Sequence, residues 1–357
     1  MGMERSTGNV ATMLSGVSSV FSDDIAIDLG TANTLVHVAD RGVIIDEPSV
    51  VAIRSRAGVR EVLAVGQQAK LMLGRTSESI ETIRPLRDGV IADFVAAEEM
   101  LRQFIKKTKS ALGFRRPRIL ICVPAGATPV ERRAVYETAL SAGARKVYMI
   151  EEPVAASLGA DLPVGEPNAL MVVDIGGGTT DIAVLSFGGV VQARSLRCAG
   201  NAMDEAIIRF VRRQHHLMIG EANAERIKIE AGSASRTQNG HAAEIHIRGR
   251  DVRKGRPKRI VLSPSDVAGV LAGPIDEIAE FVQRALEDLP PKIASDVCDK
   301  GIHLTGGGAL LDKFDLELER QIGVTFHRPV NPTHCVVKGT AVVLQQLKTH
   351  EHLLIKP

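Results

Sequence analysis

The sequence predicts an α/β fold built from two related halves whose glycine-rich loops face each other. Three observations carry the prediction. Residues Val172–Val184 read as a buried strand reaching Asp174, a tight turn Gly176-Gly177-Gly178-Thr179, and a second apolar strand. Residues Ile25–Val36 repeat the pattern, with Asp28 in the place of Asp174, Gly30 in that of Gly176 and Thr34 in that of Thr180. One glycine-rich turn is weak evidence, but two copies in the two halves of one chain point to a duplicated unit.

The turns imply a chemistry. Glycines have no Cβ, so their backbone N–H groups can close on an anion. Threonine hydroxyls add donors. Asp28 and Asp174 sit at strand ends, where a carboxylate can hold a hydrated metal beside that anion. Metal–polyphosphate binding fits this set.

The chain has 357 residues, enough for two subdivided domains. Hydrophobic residues make up 45% and charged residues 24%, the balance of a globular protein with a large core. Aromatics are 3% with no Trp, so stacking platforms for single-stranded nucleic acid are scarce. A net charge of +2 gives no global field toward nucleic acid, and no such partner is expected. Cys122, Cys198, Cys298 and Cys335 form no Cys-x-x-Cys pair and have no zinc-ligand spacing. They are expected to be small buried residues in a reducing cytosol. No uncharged apolar run reaches the length of a membrane span, and the N-terminus lacks the parts of a signal peptide.

Residues 1–22 precede the first strand. Val10, Met13, Leu14, Val17, Val20 and Phe21 share one face at helical spacing, with Asn9, Thr12, Ser15, Ser18 and Ser19 opposite. This suits a helix lying on a bilayer, with Met13, Leu14, Val17 and Phe21 inserted. The serines, Gly16 and the absence of basic residues on the polar face leave open a tail or a helix packed on the protein.

Residues 24–53 read as strand, turn and strand, followed by strands at Gly42–Ile45 and Ser49–Ile53. Residues 54–89 read as a small polar insertion with a helix at Gln67–Met72. A turn at Arg84–Asp93 leads into a helix over 94–110, and Arg118–Val123 is a buried strand. Between them, Leu112 and Phe114 stand beside Arg115, Arg116 and Arg118, with Lys106, Lys107 and Lys109 close by. An apolar tip ringed by positive charge suits an anionic membrane, and a solvated turn is the alternative. Thr128–Ala142 is a helix with Thr128 as N-cap and Pro129 in its first turn. Glu152 stands where the strand Val147–Ile150 hands over to a helix, a position for a functional carboxylate or a plain N-terminal charge.

Helices follow at Ala202–Gln214 and Ala222–Glu230, the second placing Glu225 and Lys228 on one face. His215-His216 has no partner at metal spacing. Strands are predicted at Glu244–Arg248 and Arg259–Leu262, joined by a basic loop without interleaved aromatics. Ser263–Glu287 is a long helix with Gly273-Pro274 marking a kink or a break. Ile302–Leu311 is a third strand-to-glycine turn, through Gly306, Gly307 and Gly308, leading into a helix. Val336–Ala341 opens the last helix, where Gly339 permits close backbone approach.

Three glycine turns, the Glu-Pro step and the late Lys-Gly-Thr-Ala segment together resemble the superfamily of actin-like, sugar-kinase and heat-shock-chaperone ATPases. Within it the chain is similar to the MreB family of bacterial actins. The resemblance rests on Ile27–Leu35, Glu47-Pro48-Ser49-Val50, Arg87–Asp93, Glu131-Arg132-Arg133, Glu151-Glu152-Pro153 and Leu304–Gly308, and it spans roughly residues 24–345.

The resemblance implies a duplicated actin-like ATPase fold, with two mixed-sheet core domains, each carrying a smaller inserted subdomain, and nucleotide in the central cleft. Core domain I would comprise 23–53 and 90–160, with 54–89 inserted. Core domain II would comprise 161–200 and 262–345, with 201–261 inserted, and 346–357 would form a tail. Gly30, Thr31, Ala32 and Asn33 would form the first phosphate loop, and Gly176, Gly177, Gly178 and Thr179 the second. Asp28 and Asp174 would hold Mg²⁺ through water, while Glu152, helped by Thr179, would orient or activate the attacking water. Glu225 and Lys228 would flank ribose and adenine, and Gly306, Gly307 and Gly308 would pack along the adenosine.

The implied activity is slow Mg-dependent hydrolysis of ATP, with GTP left open, coupled to self-assembly into paired protofilaments. The implied place is the cytoplasm, peripherally on the inner face of the cell membrane. There the filaments would guide the cell-wall elongation machinery and rod shape. A small-molecule kinase and a chaperone-type ATPase of the same superfamily are the alternatives. The chain departs from the family at Asn201, where an acidic residue is usual, and at Thr340, where glycine is usual.

Overall fold

The computed structural model describes residues 24–56, 59–76, 79–108, 116–235 and 244–357. The membrane candidates Met13, Leu14, Val17, Phe21, Leu112 and Phe114 lie outside the described residues.

Two five-stranded sheets share one topology. In spatial order the first holds Gly42–Pro48, Asn33–Val38, Ile25–Leu29, Arg118–Val123 and Lys146–Glu151. The second holds Gly189–Leu196, Thr180–Ser186, Leu170–Ile175, Ile302–Thr305 and Phe326–His327. In each, three sequential antiparallel strands are followed by two parallel ones. The repeated turn grammar thus belongs to a repeated sheet.

Alternation along the strands decides what each sheet face covers. Ile25, Ile27, Ile119 and Ile121 join Met100 and Phe104 of the helix Phe94–Thr108 in one core. Ala26, Leu120 and Cys122 enter a second core, shared with Val172, Ala183 and Leu185 of the other sheet. With both faces covered, these strands read as continuous apolar runs. Between the sheets lie the helices Glu152–Gly159 and Cys335–Gln345.

These two helices cross where neither carries a side chain. A Cβ on Gly159 would collide with the Cys335 carbonyl, and one on Gly339 with the Ala155 carbonyl. Gly339 therefore serves the close approach expected of it. Its neighbour Thr340 is fully buried. The Thr340 hydroxyl donates to the Val336 carbonyl at 2.7 Å and lies 2.7 Å from the Cys122 sulfur. The departure from glycine is thus accommodated by local polar partners.

Besides the two-stranded pair Leu86–Arg87 and Val90–Ile91, two three-stranded antiparallel sheets complete the described fold. One comprises Val59–Val65, Val51–Arg56 and Ile80–Ile83, and the other Leu217–Met218, Ile245–Asp251 and Pro257–Leu262. The strands at 59–65 and 80–83 are additions to the sequence reading. The helix Pro264–Glu287 runs through Pro274 without a break. After Gly306-Gly307 comes a single 3₁₀ turn, Gly308–Leu310, and an α-helix begins only at Phe314. The third glycine turn therefore does not present an α-helix N-terminus. Cys298 is exposed on the helix Pro291–Lys300, contrary to the expectation of four buried thiols, while the other three are buried. Among the described residues no helix is long and apolar enough to cross a membrane.

Candidate functional site

The first turn, Gly30–Asn33, is held in shape by Ser49. The Ser49 hydroxyl donates to the Gly30 carbonyl at 2.6 Å, and the Ser49 N–H donates to the Ala32 carbonyl at 2.9 Å. Thr34 lies 2.8 Å from the same hydroxyl, fully buried. This gives the Glu47-Pro48-Ser49-Val50 stretch a structural task. Opposite, the second turn is pinned by the start of the helix Gly200–His215. Gly200 and Asn201 donate their N–H groups to the carbonyls of Gly176 and Gly177 at 3.2 and 2.7 Å. Asn201 makes this bond through its backbone, which any side chain at that position allows.

The two turns meet. A Cβ on Gly177 would stand 2.6 Å from the Ala32 Cβ, and one on Gly178 would stand 2.8 Å from the Thr31 hydroxyl. The Gly89 N–H donates to that hydroxyl at 2.9 Å and fixes it. Only residues without side chains allow this approach. Both turns open into one cleft of about 490 Å³, within the range of small-molecule sites.

Every candidate of the nucleotide site lines this cleft: Asp28, Gly30–Asn33, Glu152, Asp174, Gly176–Thr179, Glu225, Lys228 and Gly306–Gly308. Gly306 and Gly308 have a second task. A Cβ on either would collide with Ile175, whereas one on Gly307 would meet open space. Two of the three glycines therefore serve close packing on the central strand, and Gly306 adopts φ +83°.

Acidic groups crowd the floor. Burial, then the Asp174 and Asp46 charges, pushes Asp28 up to about 8. Burial raises Asp174 to about 7, against a Thr305 hydroxyl that donates to it at 2.8 Å. Glu152 opens its helix with Pro153 in the first turn. Burial, then the Asp181, Asp28 and Asp174 charges, raises it well above the usual carboxylate range. No cationic side chain of the described residues is among the causes that shift these three carboxyls. Among the described residues, no three His, Cys, Asp or Glu side chains form a ready metal cage. Mg²⁺ needs none, since it keeps several waters and takes one or two carboxylates plus phosphate oxygens. Asp28 and Asp174 fit that mode of binding.

The far wall is cationic and acidic in pairs. The Lys228 amine donates to Asp204 at 2.9 Å and to the Gly200 carbonyl at 3.0 Å. Glu225 pairs with Lys70 of the helix Gln67–Met72 at 2.8 Å. Arg84 reaches Glu221, one turn from Glu225, at 3.3 Å. Sequence reasoning missed Asp181, Asp204, Thr305 and Lys70. Each becomes a site residue only through a contact made by the fold. Asp181 alone had a local signal, since it closes the Thr179-Thr180-Asp181 run.

A profile of the MreB/Mbl protein family matches residues 22–352. The chain belongs to the MreB/Mbl family. Cell shape-determining protein MreB of Escherichia coli K12 is 49% identical over 341 residues, covering 95% of this chain and 98% of the relative. Cell shape-determining protein Mbl of Bacillus subtilis is 44% identical over 328 residues, covering 92% and 97%. Among solved structures, MreB5 of Spiroplasma citri bound to AMPPNP superposes with a TM-score of 0.85 at 34% identity, covering 92% of this chain and 97% of that one. The MamK double helical filament superposes with a TM-score of 0.76 at 22% identity and shares the fold. The duplicated sheets and their central cleft are thus those of a bacterial actin-like cytoskeletal protein.

Proposed function

We propose that the cleft binds ATP with Mg²⁺ and hydrolyses it slowly, and that nucleotide occupancy governs assembly. The observation that carries the reading is the meeting of the two glycine turns over a floor of buried carboxylates. The binding of AMPPNP and of ADP by MreB5 of Spiroplasma citri supports a nucleotide ligand.

Backbone N–H groups of Gly30–Asn33 and Gly176–Thr179 hold the phosphates from both sides. Asp28 and Asp174 hold the cation, which neutralises phosphate charge when bound. Glu152 orients the attacking water and accepts its proton, and Thr179 fixes the water's position. Glu225 and Lys228 flank ribose and adenine, while Gly307 leaves room for the adenosine. In this reading the two large sheets are the cores of domains I and II, and the small sheets are insertions that grip the cleft mouth.

Closing the cleft fixes the angle between the halves. Copies then stack head to tail through an open heterologous contact, and such contacts give fibres. The relatives' name, cell shape-determining protein, supports a role in cell shape, which in this reading is rod shape. In this reading paired protofilaments lie on the inner face of the cell membrane and guide the cell-wall elongation machinery. Residues 1–22 and the stretch with Leu112 and Phe114 anchor them weakly, and repetition along the polymer multiplies the effect.

Nucleotide-dependent pelleting with electron microscopy and phosphate release tests the proposal. Pelleted filaments and released phosphate with Mg-ATP are expected. A protein that stays in the supernatant with every nucleotide contradicts the assembly reading. Deleting residues 1–22 should cut co-sedimentation with anionic liposomes, and unchanged binding would remove that segment from the account.

A further inference from the structure

The two groups assigned to water activation stand on different halves of the molecule. Glu152 follows the edge strand Lys146–Glu151 of the first sheet. Thr179 precedes the strand Thr180–Ser186 of the second. Their spacing therefore depends on how the halves sit together. Contacts at the cleft mouth, such as Lys70 with Glu225, are far along the chain from both.

One contact bridges the halves beside that pair. Asp181, two residues after Thr179, is fully buried. Its Oδ1 accepts the Ala125 N–H at 2.9 Å, and Ala125 lies in the loop after the strand Arg118–Val123 of the first half. The same loop packs tightly on the second half, since a Cβ on Gly126 would stand 2.8 Å from the Ser195 Cβ. The Thr179 and Ser195 side chains also hydrogen-bond this carboxyl, while its Oδ2 has no partner of good geometry among the described residues. A buried carboxylate with an unsatisfied oxygen is costly, and an apolar residue of the same size would fold at less cost. Stability alone therefore does not account for an aspartate here.

We propose that Asp181 is a positioning residue, a latch that ties the second phosphate turn to the Ala125 backbone and so brings Thr179 to its working distance from Glu152. This rests on the hydrolytic reading of the cleft. The latch closes from the back of the site, leaving the nucleotide entrance free. The latch uses the acceptor oxygen, separately from the Asp181 charge that raises Glu152. Asparagine, which keeps that oxygen, preserves the latch, and alanine removes it. Ala125→Pro deletes the same bond from its other end, because proline has no N–H.

The test compares wild type, D181N, D181A and A125P by steady-state ATP turnover and by hydrogen exchange at the Ala125 amide. D181A should lose about tenfold or more in kcat, with KM within about threefold, because the phosphate turns keep their own donors. Its Ala125 amide should exchange faster. A125P should show the same split between kcat and KM. D181N should keep kcat within about threefold of wild type and keep the amide protected. A D181N enzyme as slow as D181A overturns the latch in favour of a charge effect. Wild-type kcat in D181A or A125P also overturns it. An absence of turnover in the wild-type protein sinks the hydrolytic reading instead. An Ala125 amide as protected in D181A as in wild type sinks the latch whatever the turnover.

Discussion

Lys70 and Glu225 face each other across the mouth of the cleft with 2.8 Å between charged atoms. Lys70 lies on the helix Gln67–Met72, which follows a strand of one small sheet, and Glu225 on the helix Glu221–Ala231 beside the other. Their ion pair is partly exposed, with side-chain exposures of 26% and 30%. Pairs of this kind contribute up to about 1 kcal/mol. Lys70→Ala should therefore speed nucleotide release by roughly two- to fivefold. Stopped-flow displacement of a fluorescent ATP analogue reads that rate. An unchanged rate would show that the pair does not restrain the entrance.

The crossing of Glu152–Gly159 with Cys335–Gln345 makes a stability prediction. An added Cβ at Gly339 meets the Ala155 carbonyl, which is backbone and cannot rotate away. Overpacking of this kind costs about 1–3 kcal/mol and more where backbone must shift. Gly339→Ala should lower stability by about 3 kcal/mol, measured by urea unfolding without nucleotide. A loss under 1 kcal/mol would mean the helices separate easily.

The acidic floor predicts an unusual pH dependence. Burial and the Asp174 and Asp46 charges raise Asp28 to about 8, and burial and the Asp181 charge raise Asp174 to about 7. The folded state then holds protons that the unfolded chain, with ordinary carboxyl values near 4, has released. Stability must fall as pH rises between those values and level off above about 8. The melting temperature of the nucleotide-free protein should decline from pH 5 to 8. Mg-ATP should flatten that decline by supplying the countercharge. Asp174→Asn should raise the nucleotide-free melting temperature at pH 8 while removing the response to Mg-ATP. A melting temperature that rises across this interval would contradict the electrostatic picture.

Glu152→Ala separates binding from turnover. Glu152 lines the cleft but belongs to neither glycine turn. Loss of a positioned base costs on the order of 100-fold or more. Phosphate release should fall by that factor while ATP affinity stays within about threefold. Unimpaired turnover would take the role of base away from Glu152.

Much of this was legible in the chain because its signals are local. Leu170–Ile175 and Ile25–Leu29 are apolar throughout or nearly so, since sheet faces are covered on both sides. Their glycine turns are contiguous in sequence. Val59–Val65 and Ile80–Ile83 were not legible. They belong to a small sheet with half-exposed faces, and their polar residues imitate a loop. Gly189–Leu196, an edge strand with no fully buried residue, escaped for the same reason. Cys298 was misjudged because an exposed cysteine on a helix has the same sequence appearance as a buried one. Lys70, Asp204 and Thr305 gain their partners from segments 24 to 155 residues away, which no local pattern records.

The most direct test of the central claim is a structure of the protein with Mg-AMPPNP. The account predicts the triphosphate between Gly30–Asn33 and Gly176–Thr179, with the cation beside Asp28 and Asp174. A nucleotide bound elsewhere, or phosphates touching only one of the two turns, would contradict it.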